Sequence, residues 1–99
     1  MILVTGSVTA RADTLDAVLK LSLEHVHRSR QEPGCMAHAV HADCENPLRL
    51  VFIEQWADRA ALLAHFALPA SREFVRALQP LAAAAATLEL YDAIKLEKL

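Results

Sequence analysis

The stretch LRLVFIEQW, residues 48–56, constrains the fold more than any other part of this chain. A β-strand sends residues i and i+2 to the same face, so Leu50, Phe52, Glu54 and Trp56 share one side. Three of the four are apolar, so that side must be buried. A carboxylate in such a row is costly unless another group pairs with it or the face opens into a pocket. Any architecture for the chain has to cover this face and provide for Glu54.

The flanking segments supply the cover. Residues 2–9, ILVTGSVT, are β-rich and predict a first strand. Asp13 is a candidate cap for a helix whose apolar residues Leu15, Val18, Leu19, Leu23 and Val26 follow three-and-four spacing. The run EPGC at 32–35 ends that helix, because Pro33 and Gly34 both stop helices. CMAHAVHAD predicts a second strand, CENP a turn and LRLVFIEQW the third strand of a hairpin. Asp58 opens a helix carrying Leu62, Leu63 and Phe66; Pro69 suits the first turn of another, with Phe74, Val75 and Leu78 as its stripe. The alanine run 82–86 fits either a prolonged helix or a loop, and TLELYDAIKL, 87–96, predicts the fourth strand.

The order βαββααβ predicts a single α+β domain over residues 1–99, ferredoxin-like, with helices on one face of a four-stranded antiparallel sheet. Nothing in the chain is left to cover the other face, so a homodimer packed sheet to sheet is expected. A hydrophobic fraction of 55% in 99 residues agrees with apolar surface held against a second subunit.

Charge and cysteines exclude several function classes. A formal net charge of −2 and no nucleic-acid module signature argue against a DNA or RNA partner. No apolar run approaches a membrane span and the N-terminus does not resemble a secretion signal, so a cytoplasmic protein with no membrane partner is expected. Cys35 and Cys44 form no CxxC and read as reduced thiols. A metal site is not expected, since His25 and His27 diverge on their helix and His38 and His41 fall on opposite strand faces.

The runs EPGC and VFIEQWADRAALLAHFALPASREF resemble the antibiotic biosynthesis monooxygenase family, small dimeric α+β barrel proteins that include cofactor-independent quinol monooxygenases. The likeness in element order spans nearly the whole chain. It implies a pocket between sheet and helices in which a phenolic or quinol substrate is oxidised by O2 with no cofactor: no flavin, haem or metal. Such a substrate supplies its own electrons, so the protein must provide a base and a dry cavity. All five aromatics lie between Phe52 and Tyr91, and Phe52, Trp56, Phe66, Phe74 and Tyr91 are the candidate substrate-binding residues.

Trp56 and His65 match the family's strand tryptophan and helix histidine. Trp56 is then either a cavity wall whose N–H meets a ligand oxygen or a core residue whose N–H meets a carbonyl. His65 is the first candidate base, or caps a core edge. Glu54 orients that histidine, or is a satisfied buried carboxylate. His38, in step with Met36 and Val40, is the second candidate base. Tyr91 either donates its hydroxyl to a bound oxyanion or sits at a dimer interface. HVHRSRQ, 25–31, reads as the solvated end of the first helix.

Two departures bear on function. Pro69 precedes Ala70, where the family often has histidine. The haem-degrading relatives carry a first-strand asparagine, a tryptophan in the place of His65 and a histidine ten residues on; here that last position is Val75. Haem degradation therefore ranks below quinol oxidation. The alternative from another class is a non-catalytic dimeric barrel that binds a small aromatic ligand.

Overall fold

The computed structural model describes residues 1–99, with β1 at Ile2–Thr9, α1 at Leu15–Ser29, β2 at Cys35–Asp43 and β3 at Asn46–Trp56. Helices α2, Arg59–Ala67, and α3, Pro69–Leu78, follow, then a short 3₁₀ turn at Gln79–Leu81 and β4 at Thr87–Asp92. The strands form one sheet in the order β2-β3-β1-β4, every neighbouring pair antiparallel. This is the α+β, ferredoxin-like arrangement expected from the sequence. No helix is long and apolar enough to cross a membrane.

The helices lie on one face. Strand β1 alternates buried and half-buried residues, with Ile2, Val4, Gly6 and Val8 beneath the helices. Leu50, Phe52, Glu54 and Trp56 are buried on the same side. The apolar core divides into two clusters. One joins Val8, Ala10, Val18, Val26, Leu50, Phe52 and Leu78; the other joins Ile2, Val4, Trp56 and Leu62. Glu54 falls between them along β3, opposite His38 on β2 and Val4 on β1.

Several boundaries differ from the sequence reading. Thr14, not Asp13, is the N-cap of α1, and its hydroxyl is used elsewhere, donating to Leu81 O at 2.7 Å. Asp13 pairs with Arg11 at the surface. The hairpin turn shrinks to Cys44 and Glu45, because Asp43 already pairs with Asn46. Strand β4 stops at Asp92, where β1 runs out of residues to pair with it: Asp92 is opposite Ile2. The alanine run is not helical. Ala82 bridges Ala10, Ala83 N–H donates to Thr9 O at 2.8 Å, and the chain then loops to Thr87.

The buried face of α1 is also displaced. It runs through Val18, Ser22, His25, Val26 and Ser29, while Leu19 and Leu23 lie toward solvent. Ser29 Oγ donates to His25 O at 2.7 Å, which satisfies its hydroxyl on the buried face. His25 shares this stripe and so faces inward.

The helix punctuation holds. Asp58 caps α2 through Ala61 N–H at 2.8 Å, and Pro69 starts α3. Gly34 has φ +81°, and its carbonyl accepts from Ala57 N–H at 2.8 Å, which ties the α1–β2 turn to the β3–α2 turn. A Cβ added to Gly34 would stand 2.5 Å from Ala61 Cβ. Backbone strain and overlap therefore act together, and Gly34→Ala is expected to cost at least about 2 kcal/mol of stability. The midpoint of urea unfolding measures it; an unchanged midpoint contradicts the packing.

Candidate active site

A cavity of about 580 Å³ lies between the sheet and helices α2 and α3. Small residues make the space. Gly6 leaves the helix-facing row of β1 without a side chain opposite Phe52, and Ala82–Ala86 form a thin wall before β4. Phe52, Phe66, Phe74, Val75 and Leu78 supply the apolar lining. His25, Glu54, His65 and Ser71 form its polar end. Its volume lies in the range of small-molecule sites, mostly apolar with a few convergent polar groups.

His65 comes from the last turn of α2. Its Nδ1 is 2.8 Å from Glu32 Oε1, with Ser71 Oγ at 3.5 Å. A carboxylate only accepts, so Nδ1 carries the proton, and the neutral ring keeps its lone pair on Nε2. Glu32 thus fixes the tautomer and orientation of a histidine that borders the cavity.

Glu54 is engaged elsewhere. Its Oε1 accepts from Trp56 Nε1–H at 2.9 Å and lies 3.2 Å from His38 Nε2. The His38 contact is close but poorly aligned, and neither ring nitrogen of His38 makes a well-directed hydrogen bond. Burial pushes the Glu54 carboxyl up, but His38, the Trp56 N–H and His65 outweigh it and hold the group below its ordinary value.

His25 completes the polar layer. It stacks on Phe74 with ring centroids 4.0 Å apart, and its Nδ1 faces Arg28 Nη2 at 2.9 Å. A guanidinium only donates, so this Nδ1 is the acceptor and the ring is neutral. Burial, His38, His65 and Arg28 together push its pKa from 6.5 down to about 3.

The structure assembles part of the expected site. Phe52, Phe66, Phe74, Glu54 and His65 all border the cavity, and the Trp56 ring lies 4.6 Å from that of His65 on the helix side of the sheet. Trp56 does not line the cavity. It is a fully buried core residue whose N–H is taken by Glu54, not presented to a ligand. His38 sits behind the cavity wall with no exposed side chain, which removes it as a base in contact with substrate. Glu54 does not orient His65; Glu32 does. Tyr91 is opposite Leu3 on the face turned away from the helices, where its hydroxyl donates to Glu89, so it is not a cavity residue.

Glu32, His25, Arg28 and Ser71 are the residues that sequence reasoning missed. The segment read as a solvated helix end instead contributes buried His25 and Ser29 and half-buried Arg28. Their signal lies in the stripe Val18–Ser22–His25–Ser29, which keeps helical spacing once serine is allowed on the buried face. Glu32 had no pattern of its own beyond standing at the turn that Gly34 bends.

Acid stability follows from these groups. Unfolded His25 takes a proton below pH 6.5 while the folded ring stays neutral to about 3, so stability falls as pH drops through that window. The loss approaches about 1.4 kcal/mol per pH unit. Glu54 acts in the same direction: its contribution is present above the ordinary value of 4.5 and lost below it. His25→Phe is expected to flatten the unfolding free energy between pH 6.5 and 4.5 by about 2 to 3 kcal/mol relative to the parent, measured by urea titration at each pH.

Comparison with known proteins places this geometry. Residues 1–77 match the model of the family described as antibiotic biosynthesis monooxygenase. An uncharacterized protein of Synechocystis sp. is 33% identical over 90 residues, covering 91% of this chain, and the chain spans 61% of that relative's length. A crystal structure of an antibiotic biosynthesis monooxygenase superposes with a TM-score of 0.88 at 35% identity, covering 96% of this chain and all of the other. A candidate antibiotic biosynthesis monooxygenase from Deinococcus radiodurans gives a TM-score of 0.94 at 25% identity, covering 100% of this chain and 98% of that one. With the family model matched over more than three quarters of its length and the fold superposed end to end, this chain belongs to the antibiotic biosynthesis monooxygenase family.

Proposed function

We propose that the protein is a cofactor-independent monooxygenase that oxidises a small phenol or quinol with O2, using His65 as the base. The observation that carries this reading is the Glu32–His65 pair at the polar end of an apolar cavity. His65 Nε2 takes the phenolic proton, and the Glu32 carboxylate steadies the imidazolium that forms. The phenolate, held against Phe52, Phe66 and Phe74, passes an electron to O2. The resulting radical pair closes a carbon–oxygen bond, and the peroxide anion takes the proton back from His65 to give a hydroperoxide. Loss of water from it leaves a quinone, with one oxygen atom in the product and one in water.

The cavity supports the chemistry by exclusion. Water at the reacting carbon would solvate the phenolate and weaken its donation to O2, and an aromatic and alanine lining keeps water out. The rival reading, a barrel that only sequesters an aromatic ligand, draws on Ala70, which stands where the family often has a histidine.

The active unit in this proposal is a homodimer joined through the open sheet faces. Ile53 and Tyr91 are exposed at 42% and 46%, and Leu3 and Val51 on the same face are only half-buried. Past β4, Ile94 and Leu96 are 90% and 67% exposed, apolar side chains that a second copy would cover. Light scattering at micromolar concentration is expected to give twice the 10.9 kDa chain mass, and a monodisperse monomer rejects the dimer.

Oxygen uptake by metal-free protein with a panel of hydroquinones tests the activity. His65→Ala is expected to lower kcat by about 10²- to 10⁴-fold with a small change in KM. Glu32→Gln lowers it by about 10- to 100-fold, because the imidazolium loses its counter-charge. Phe74→Ala chiefly raises KM. Full turnover in His65→Ala removes the base assignment, while tight binding of the quinols with no oxygen uptake favours sequestration.

A further inference from the structure

The oxygenase reading uses His65 and leaves His25 and His38 without a task, although both are buried beside it. His25 on α1, His38 on β2 and His65 on α2 each offer one ligand atom, all within 4.8 Å of one another. Their rings are in mutual contact, with centroids 5.2 to 5.8 Å apart. Both ring nitrogens of His38 and Glu32 Oε2 are buried without an aligned hydrogen-bond partner, an arrangement that is costly to keep.

We propose that His25, His38 and His65 form a binding site for a divalent late first-row transition ion, of which Zn²⁺ is the type, with a fourth position open to the cavity. Imidazole nitrogen is the donor these ions share, and three neutral histidines with one open position is an established arrangement for them. An ion centred in a triangle of 4.8 Å sides lies about 2.8 Å from each corner, so shifts of roughly 0.7 Å per ring bring it to a bonding distance near 2.1 Å.

The surroundings fit an ion on two counts. Glu32 already binds the Nδ1 side of His65, and Glu54 approaches Nε2 of His38, so a carboxylate backs two of the three rings and leaves the other nitrogen of each to ligate. The two carboxylates against Arg28 leave the layer one negative charge in excess. A divalent ion with one anionic fourth ligand brings it to neutrality.

Arg28 works against occupancy. By donating to His25 Nδ1 it places the ring proton on Nε2, and the ion must displace one or the other. Arg28 therefore sets the affinity threshold of the site. An ion there also takes the His65 Nε2 lone pair that the proposed reaction uses, so ion binding and proton abstraction exclude each other. Binding itself is measurable whether or not the protein is an oxygenase.

The test is calorimetric titration of the chelator-stripped protein with Zn²⁺, alongside the absorption spectrum of the Co²⁺ form. The expected result is one ion per chain with micromolar or tighter affinity, and a Co²⁺ spectrum free of thiolate charge transfer. Affinity should fall at least about 100-fold in His25→Phe and about 10- to 100-fold in Glu32→Gln, and rise about 10-fold in Arg28→Met. Exposed His27→Gln and His41→Gln should leave it unchanged. Independently of any variant's folding, Zn²⁺ should shift the ring-proton NMR signals of His25, His38 and His65 in the parent protein. No binding at micromolar Zn²⁺, a thiolate band that places the ion on Cys35 or Cys44, or NMR shifts confined to His27 and His41 overturns the site.

Discussion

A layer of ionisable side chains, buried between two apolar clusters, is the constraint around which the rest of the molecule is arranged. Glu54, His38, His65 and His25 meet where β3, β2, α2 and α1 converge, and each is almost fully buried. An unpaired carboxylate in such a place would cost several kcal/mol, so the Glu54 oxygens must meet donors or cation-capable rings. They meet Trp56 and His38, which with His65 hold the Glu54 carboxyl ionised against its burial. That pairing explains why a tryptophan ends β3. Its ring fills the cluster of Ile2, Val4 and Leu62, while its N–H serves the polar layer.

The second carboxylate does different work. Glu32 stands on the turn between α1 and β2, outside any regular element, and reaches His65 across 33 residues of chain. The turn is fixed by the left-handed Gly34, whose carbonyl binds Ala57 at the start of the next turn. Backbone geometry at one glycine therefore sets the position of the group that orients the cavity histidine. The Glu32–His65 pair and the Gly34–Ala57 pair lock the same two turns, so the site and the fold share their fastening.

Much of the fold was legible because its signals are local. Asp58, Pro69, Pro33 and Gly34 mark helix ends by backbone chemistry that needs no tertiary contact, and the period-two row from Leu50 to Trp56 identified the buried face. The strand ends at Asn46 and Asp92 were not legible, because pairing partners set them and not intrinsic preference. The site was read in part for a related reason. Aromatic wall residues announce themselves by type, and Phe52, Phe66 and Phe74 do line the cavity. The polar layer is assembled from residues far apart in sequence. His25 was weighed only against His27 and His38 only against His41, each on its own element, which cannot reveal a cluster drawn from three elements. The sequence left Tyr91 between cavity and dimer seam because its facing depends on β4 pairing with β1 in the register that sets it opposite Leu3.

The charge within the layer links its structure to the proposed chemistry. With all three histidines neutral, Glu32 and Glu54 outweigh Arg28 by one negative charge in a region with little water to compensate. A proton abstracted from a phenol and kept on His65 cancels that excess inside the protein. The phenolate left behind then faces an imidazolium already paired with Glu32, rather than a free cation that would draw electron density from it. In the proposed reaction this arrangement leaves the substrate electron-rich enough to reduce O2, because the base has its own counter-ion. A lone histidine at the same place would form a tight ion pair with the phenolate and hold its electrons back. The carboxylate behind the base therefore acts on the oxidation step as much as on the proton transfer. It does so from a residue that never touches the cavity.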